Sequence, residues 1–170
     1  MRLLITSLLL CLSLLSAPAL AKTPGEVEVG GTLRDVPMLG LTGPAKKFSD
    51  FRGKPLLINV WASWCGPCQL EMASLERLAR SKGARQFNMI GISTDDYPEA
   101  AKGFLKRYQT SFSHFIDARL VLEHMLGADR LPLTVLVDAQ GRVLYRHYGA
   151  LQWDGPDAVN LIGKAFDIKM

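Results

Sequence analysis

Residues 58–72 read INVWASWCGPCQLEM and give the strongest indication of the fold. The first residues of this stretch complete a nearly continuous apolar run over 55–61, which predicts a central strand covered on both faces. From 66 to about 81, apolar residues recur at helical spacing, which predicts a helix. The two cysteines of the stretch, Cys65 and Cys68, therefore lie where a buried strand gives way to a helix.

Strands and helices are expected to alternate along the rest of the chain. The patterns predict a short strand at 33–41, broken at Pro37, and a turn or short helix at 46–53. A helix over 97–108 has Asp95 or Asp96 available as its N-cap. The other expected elements are strands at 87–93, 113–116, 133–138 and 142–148, and helices at 118–126 and 156–166. This alternation predicts the α/β class, with a central mixed β-sheet flanked by helices.

The composition sets outer limits on function. The chain has 170 residues, about the length of one domain. Hydrophobic residues make up 48% of it and charged residues 21%, a mixture that buries a core and excludes wholesale disorder. The net charge is +4, and no block of five or six basic residues gives a nucleic-acid-binding footprint.

The N-terminus has the pattern of an export signal. Arg2 precedes an apolar run, and Ala19-Leu20-Ala21 offers small residues to a signal peptidase, so residues 1–21 are expected to be cleaved off after Ala21. The alternative is an uncleaved anchor, because a membrane span needs about 20 apolar residues. Residues 22–31 are expected to be a flexible lead-in to a domain at 32–170. The third cysteine, Cys11, falls in the signal.

The spacing of Cys65 and Cys68 suits thiol chemistry. Residues at i and i+3 of a helix lie close enough for a disulfide to close and open. Cys65 is expected at the helix N-terminus, where free N–H groups and the helix dipole stabilise a thiolate. Pro67 falls at an early helical position, where its missing N–H costs nothing. These positions predict that Cys65 attacks a partner disulfide and that Cys68 resolves the mixed disulfide.

Other uses of two cysteines fit less well. A structural disulfide across so short a loop stabilises little. A zinc site needs about four ligands, and the histidines at 114, 124 and 147 form no spaced pair.

The motif resembles a known family. INVWASWCGPCQLEM, with FSDFRGKP before it and LPLTVLVDAQGRV after it, is similar to the exported TlpA-like and ResA-like branch of the thioredoxin superfamily, over about residues 33–166. The resemblance implies a thioredoxin-like fold and a periplasmic thiol–disulfide oxidoreductase that needs no organic cofactor or metal. It also implies client proteins with disulfides, a membrane thiol-reductant donor, and a place in cytochrome c biogenesis or oxidase copper-site assembly.

Glu71 is the most informative residue beside the cysteines. It lies one helical turn past Cys68, on the apolar stripe that includes Met72 and Leu75. Desolvation there raises the pKa of a carboxyl, so Glu71 is a candidate to take the proton of Cys68. The resemblance favours this role, since ResA-like proteins carry an acid in C-x-x-C-x-x-E. The alternative is a glutamate at the stripe edge that reaches water or pairs with an arginine.

Three further residues near the pair are open to two interpretations each. Asn59 is the polar residue of the strand at 55–61, and a buried amide satisfied by backbone groups is favoured over a catalytic role. Trp61 is favoured as a core residue. Trp64 either packs in the core or offers an aromatic rim for partner docking.

Pro132 opens the strand at 133–138, a position that tolerates proline in any sheet. The resemblance implies a cis peptide between Leu131 and Pro132, packed facing the cysteines. The Leu131 backbone would then pair with an extended substrate chain.

The expected function is the reduction of client disulfides. Gly66-Pro67 matches the dipeptide of reducing thioredoxins. Their reduction potential is about −270 mV, against about −120 mV for the oxidant DsbA. A disulfide-forming oxidant and a non-catalytic Cu(I) metallochaperone remain alternatives. A peroxidase is disfavoured, because Ile58 and Ala62 stand where peroxiredoxins carry proline and threonine.

Overall fold

The computed structural model describes residues 24–170, so the predicted signal and Cys11 lie outside the described residues. The strands are β1 Pro37–Gly40, β2 Lys46–Lys47, β3 Leu56–Trp61, β4 Asn88–Ser93, β5 Ser113–Ile116, β6 Leu133–Val137 and β7 Val143–Tyr148. The α-helices are α1 Gly66–Arg80, α2 Pro98–Tyr108, α3 Val121–Leu126 and α4 Pro156–Phe166, with short 3-10 helices at Phe48–Phe51 and Gly83–Gln86. None of the helices within residues 24–170 has the length and apolar character of a membrane span.

The seven strands form one mixed sheet in the order β2-β1-β5-β4-β3-β6-β7. The strand β3 lies near its centre, parallel to β4 and antiparallel to β6. All six residues of β3 are buried, as its apolar run predicts. The prediction of a central mixed sheet flanked by helices is confirmed.

Alternate residues of β3 enter two different parts of the core, because successive side chains of a strand point to opposite faces of the sheet. Ile58 and Val60 pack into the cluster that contains Leu122 of α3. Leu57 and Trp61 pack into the cluster that contains the buried residues of α1, α2 and α4. The second face therefore carries the helix that begins at the cysteine pair.

Three local predictions differ from the structure. The strand expected at 33–41 begins at Pro37 rather than breaking there, as proline is tolerated at a first strand position. Residues 46–53 contain the short strand β2 and a 3-10 helix. The N-cap of α2 is Tyr97, without a side-chain cap hydrogen bond, so the prediction that Asp95 or Asp96 caps this helix is wrong.

The lead-in expected to be flexible at 22–31 is bound to the domain in its second half. The Val27 N–H donates to the Met125 carbonyl at 2.9 Å, and the Val27 side chain is buried. A few residues on, the Leu33 N–H donates to the Gly141 carbonyl at 2.9 Å. Hydrogen bonds at Val27 and Leu33 therefore fix this segment to the domain on either side of its exposed residues.

Candidate active site

The cysteine pair lies at the start of α1 and forms a disulfide with a Cα–Cα distance of 5.3 Å. Cys65 is the N-cap of the helix, and its sulfur accepts a hydrogen bond from the Cys68 backbone N–H at 3.2 Å. Cys65 is 5% exposed and Cys68 is fully buried. The predicted arrangement is confirmed: the leading sulfur is the more accessible one, and a backbone N–H of the first turn points at it.

The turn before Cys65 is held by Asp95, which the sequence analysis expected as a possible N-cap of α2. Trp61 of β3 lies opposite Ser93 of β4, so the residues that follow the two strands emerge side by side. The Asp95 carboxylate accepts hydrogen bonds from the Ser63 N–H at 3.0 Å and the Ser63 hydroxyl at 2.6 Å. Asp95 is buried and anchors the turn before the cysteines, rather than capping α2.

Glu71 is buried one turn after Cys68, with 1% of its surface exposed. Its Oε1 accepts from the Asn59 amide at 2.7 Å, and its Oε2 accepts from the Trp153 indole N–H at 2.9 Å and the Leu151 N–H at 3.2 Å. Burial raises the pKa of Glu71 from 4.5 to about 7, against the opposing effect of these donors. The alternative of a solvated or arginine-paired glutamate is wrong, because Glu71 is a buried carboxyl that is hydrogen-bonded to uncharged donors.

The Asn59 amide nitrogen binds side chains and not backbone groups, and the amide oxygen has no hydrogen-bond partner among the described residues. Asn59 lies directly opposite Thr134 in the pairing of β3 with β6. Its Nδ2 therefore donates to the Thr134 hydroxyl at 3.1 Å as well as to Glu71. The expectation of backbone partners is corrected, and Asn59 becomes part of the hydrogen-bonding shell of Glu71.

Two members of this shell, Leu151 and Trp153, were missed by sequence reasoning. They lie on the loop between β7 and α4, some 80 residues from Glu71 along the chain. Nothing in the local sequence indicates that these residues belong to the site, apart from the presence of a tryptophan in a loop. The third tryptophan of the chain is thus fully buried against the site.

A groove of about 660 Å³ runs beside Cys65 and is lined by Trp64, Gly66, Pro67 and Leu131, among others. Trp64 is 71% exposed, which excludes the core interpretation and leaves an aromatic rim beside the sulfur. The cis peptide expected between Leu131 and Pro132 is present. Pro132 itself is buried, and Leu131 faces the same groove as Cys65.

The remaining candidates lie apart from the groove. Trp61 is fully buried and stacks on Phe104 at 4.6 Å between ring centroids, as a core residue. His114 is buried in the core, and His124 and His147 are not gathered with it. Within residues 24–170, no group of three or more histidine, cysteine or acidic side chains is arranged to hold a metal ion.

Comparison with known proteins identifies the family. The Redoxin family profile matches residues 28–162. The chain is 35% identical over 127 residues to the thiol:disulfide interchange protein DsbE of Vibrio cholerae, covering 73% of this chain and 67% of the relative. It is 29% identical over 119 residues to the thiol-disulfide oxidoreductase ResA of Bacillus thuringiensis, covering 70% and 69%.

A solved structure from Chlorobium tepidum, described as a thiol:disulfide interchange protein DsbE, superposes with a TM-score of 0.75. The superposition has 26% identity and covers 82% of this chain and 99% of that one. It confirms the thioredoxin-like fold expected from the motif. The chain therefore belongs to the Redoxin family and is a thioredoxin-like oxidoreductase.

Proposed function

We propose that this protein reduces disulfides of client proteins by dithiol–disulfide exchange through Cys65 and Cys68. The observation that carries the proposal is the Cys65–Cys68 disulfide at the N-terminus of α1, with a buried glutamate one turn further on. The thiol–disulfide oxidoreductases among its relatives support the same chemistry.

The exchange begins on the reduced protein. The Cys65 thiolate attacks one sulfur of the client disulfide, so a bond forms between Cys65 and the client while the second client sulfur leaves as a thiolate. The N–H of Cys68 and the helix dipole stabilise the Cys65 thiolate before the attack. The exposed ring of Trp64 and the Leu131 backbone beside the cis proline would dock the client chain.

The second step releases the client. Glu71 accepts the proton of the Cys68 thiol, and the resulting thiolate attacks the Cys65 sulfur. The client sulfur that was bound to Cys65 leaves as a thiolate, and Cys65 and Cys68 are left as a disulfide. Both client thiolates take up protons from water, and Glu71 returns its proton to water. Two electrons and two protons from a thiol donor then restore the reduced pair, and we assign this task to a membrane thiol reductant.

The cellular setting is also part of the proposal. Residues 1–21 serve as an export signal or anchor, and residues 32–170 form the thioredoxin-like domain in the periplasm. In that oxidising compartment a reductant would act on selected clients, such as apocytochrome c or the copper-site cysteines of an oxidase.

A trapping experiment tests the exchange. In Cys68→Ser the first step proceeds and the second cannot, so a mixed disulfide between Cys65 and the client accumulates and is detected by mass. Cys65→Ser is the matched control and should form none. Absence of a trapped species in Cys68→Ser, with folded protein, would contradict the proposal.

Two further measurements separate the alternatives. Insulin reduction with dithiothreitol and without metal supports the enzyme, whereas copper retained after desalting without turnover supports a Cu(I) chaperone. A reduction potential above about −150 mV would assign the pair to disulfide formation instead of reduction.

The leading role of Cys65 has its own test. In the reduced protein at pH 7, we expect an alkylating reagent to label Cys65 about tenfold faster than an ordinary exposed thiol, because a thiol pKa near 7 instead of 8.5 raises the thiolate fraction by that factor. Labelling at the ordinary rate would remove the basis for the proposed first step.

A further inference from the structure

We propose that Trp153 is a positioning residue for Glu71, whose indole N–H fixes one carboxylate oxygen and favours the ionised form that accepts the proton of Cys68. The inference rests on the proposed role of Glu71. It extends that role to a loop that lies some 80 residues from Glu71 along the chain. It assigns a function to the segment between β7 and α4.

The contacts to Glu71 divide by origin. The sheet supplies one donor, the Asn59 amide, at 2.7 Å from Oε1. The loop supplies both donors to Oε2, the Trp153 indole N–H at 2.9 Å and the Leu151 N–H at 3.2 Å. One oxygen of the carboxylate is therefore controlled entirely by the loop.

The loop is in turn bound to the helix that carries Glu71. The Trp153 backbone N–H donates to the Ser74 hydroxyl at 3.1 Å, and that hydroxyl lies 2.7 Å from the Glu71 carbonyl. One residue further on, Asp154 accepts two hydrogen bonds from Arg77, at 2.6 and 3.1 Å. Because successive turns of α1 hold successive residues of the loop, the indole has little freedom to leave the carboxylate.

Among residues 24–170, no cation pairs with the Glu71 carboxylate. The neighbours from β3 and β6 are the uncharged Asn59 and Thr134. From β7, His147 makes an edge-to-face contact with the Trp153 ring at 5.6 Å between centroids, and burial lowers the pKa of His147, which favours its neutral form. The Arg77 guanidinium at the loop is engaged by Asp154.

Hydrogen bonds are therefore what opposes desolvation at this carboxylate. Burial raises the pKa of Glu71, and the indole N–H of Trp153 is the largest opposing influence. A donor to the charged form favours it, so removal of the donor should leave Glu71 mostly protonated at neutral pH and lower the fraction that can accept a proton.

A second tryptophan provides an internal control. Trp61 and Trp153 are both fully buried and belong to the same core cluster. The indole nitrogen of Trp61 has no hydrogen-bond partner within the described chain, whereas that of Trp153 binds Glu71. Replacing either ring by phenylalanine removes comparable core volume, but only one replacement removes a donor to the carboxylate.

The experiment titrates Glu71 in the full-length reduced protein. Its carboxyl carbon is followed by NMR from pH 4 to 9 in wild type, Trp153→Phe and Trp61→Phe, together with the pH profile of mixed-disulfide resolution. In Trp153→Phe we expect the pKa of Glu71 and the midpoint of the profile to rise by about one pH unit, since a hydrogen bond to a charged group contributes about 1.5 kcal/mol. In Trp61→Phe both should stay at their wild-type values.

The wild-type protein offers a readout that needs no core substitution. The ¹⁵N–¹H signal of the Trp153 indole should shift with pH at the same midpoint as the Glu71 carboxyl, and it should cease to do so in Glu71→Gln. The Trp61 indole signal should show no such midpoint. This measurement decides the inference even if Trp153→Phe fails to fold.

The outcomes distinguish a failure of the Trp153 inference from a failure of the proposed role of Glu71. If Glu71→Gln resolves mixed disulfides at the wild-type rate at every pH, the proposed role of Glu71 is wrong. If Glu71→Gln is slow while Trp153→Phe keeps the wild-type titration and profile, or the Trp153 indole signal ignores Glu71, the role of Glu71 stands and the positioning by Trp153 is overturned.

Discussion

The helix α1 carries two buried glutamates with opposite surroundings. Glu71, in its first half, accepts hydrogen bonds from an amide, an indole and a backbone N–H, all uncharged. Glu76, in its second half, is paired with Arg80 and accepts from the Ser111 N–H at 2.7 Å and hydroxyl at 3.1 Å. Five residues of one helix thus separate a carboxylate without a cation from one with a cation.

The difference separates a half of α1 that is suited to proton transfer from a half that forms ion pairs. Desolvation disfavours the charged form of a buried carboxyl, and a nearby cation would oppose that effect. Without a cation, burial raises the pKa of Glu71 to about 7. The half of α1 that carries the cysteines is also the half without ion pairs, while Arg77 and Arg80 lie in its last turn, where they also favour the helix dipole.

The largest effect expected from the surroundings of Glu71 is on the free energy of unfolding as a function of pH. The native pKa of Glu71, about 7, lies above its ordinary value of 4.5, so its contribution is fully present below pH 4.5 and is lost as pH rises to 7. A difference of this size corresponds to about 3 kcal/mol. Denaturant unfolding of the oxidised protein from pH 4 to 8 should show this loss in wild type and not in Glu71→Gln.

The comparison must be between the two proteins and not within one profile. Burial lowers the pKa of His114 to about 3, and a histidine that is neutral in the core destabilises the fold as pH falls below 6.5. This opposite slope is common to wild type and Glu71→Gln and cancels in their difference. A difference that does not change between pH 4.5 and 7 would contradict the assigned titration.

The next effect in size is on the exchange rate. A general base contributes about a hundredfold or more, so Glu71→Gln should slow mixed-disulfide resolution at pH 7 by about that factor. Stopped-flow release of a client thiol measures it. Glu76→Gln, five residues away, should resolve at the wild-type rate, and equal slowing in both variants would show that the first effect is structural.

The smallest expected effect is on the stability of the Glu76→Gln variant. Glu76→Gln removes the charge that binds Ser111 and Arg80, and hydrogen bonds to a charged group contribute about 2 kcal/mol. Thermal or urea unfolding at pH 7 should report that loss, with exchange activity unchanged in the folded protein. An unchanged unfolding midpoint would mean that the Glu76 charge and its half-exposed ion pair with Arg80 contribute nothing net.

Much of the site could be predicted from local pattern. The strand at 55–61, the helix from 66, the position of Cys65 at its start and the burial of Glu71 all follow from apolar periodicity over fewer than 30 residues. The cis bond before Pro132 was expected from family resemblance alone. These features are governed by neighbours in sequence, or are shared across a family, and the structure confirms them.

Other parts of the site depend on contacts that local pattern does not encode. Asp95 reaches Ser63 because β3 and β4 are parallel and in register, and the local sequence instead suggested a helix cap. Asn59 finds Thr134 through the pairing of β3 with β6. The register of a sheet is set by the whole core, so neither partner is visible in a single segment.

Local sequence pattern is enough to place a pair of cysteines at the start of a helix after a buried strand, with an acid one turn later. The reason is that helical and strand periods place side chains relative to their own neighbours. The surroundings of that acid are set by folding: an amide from the sheet, and an indole and an N–H from a loop some 80 residues away, with no cation paired to it among the described residues. The pKa of a buried group depends on every dipole within reach, and those dipoles are brought together by folding.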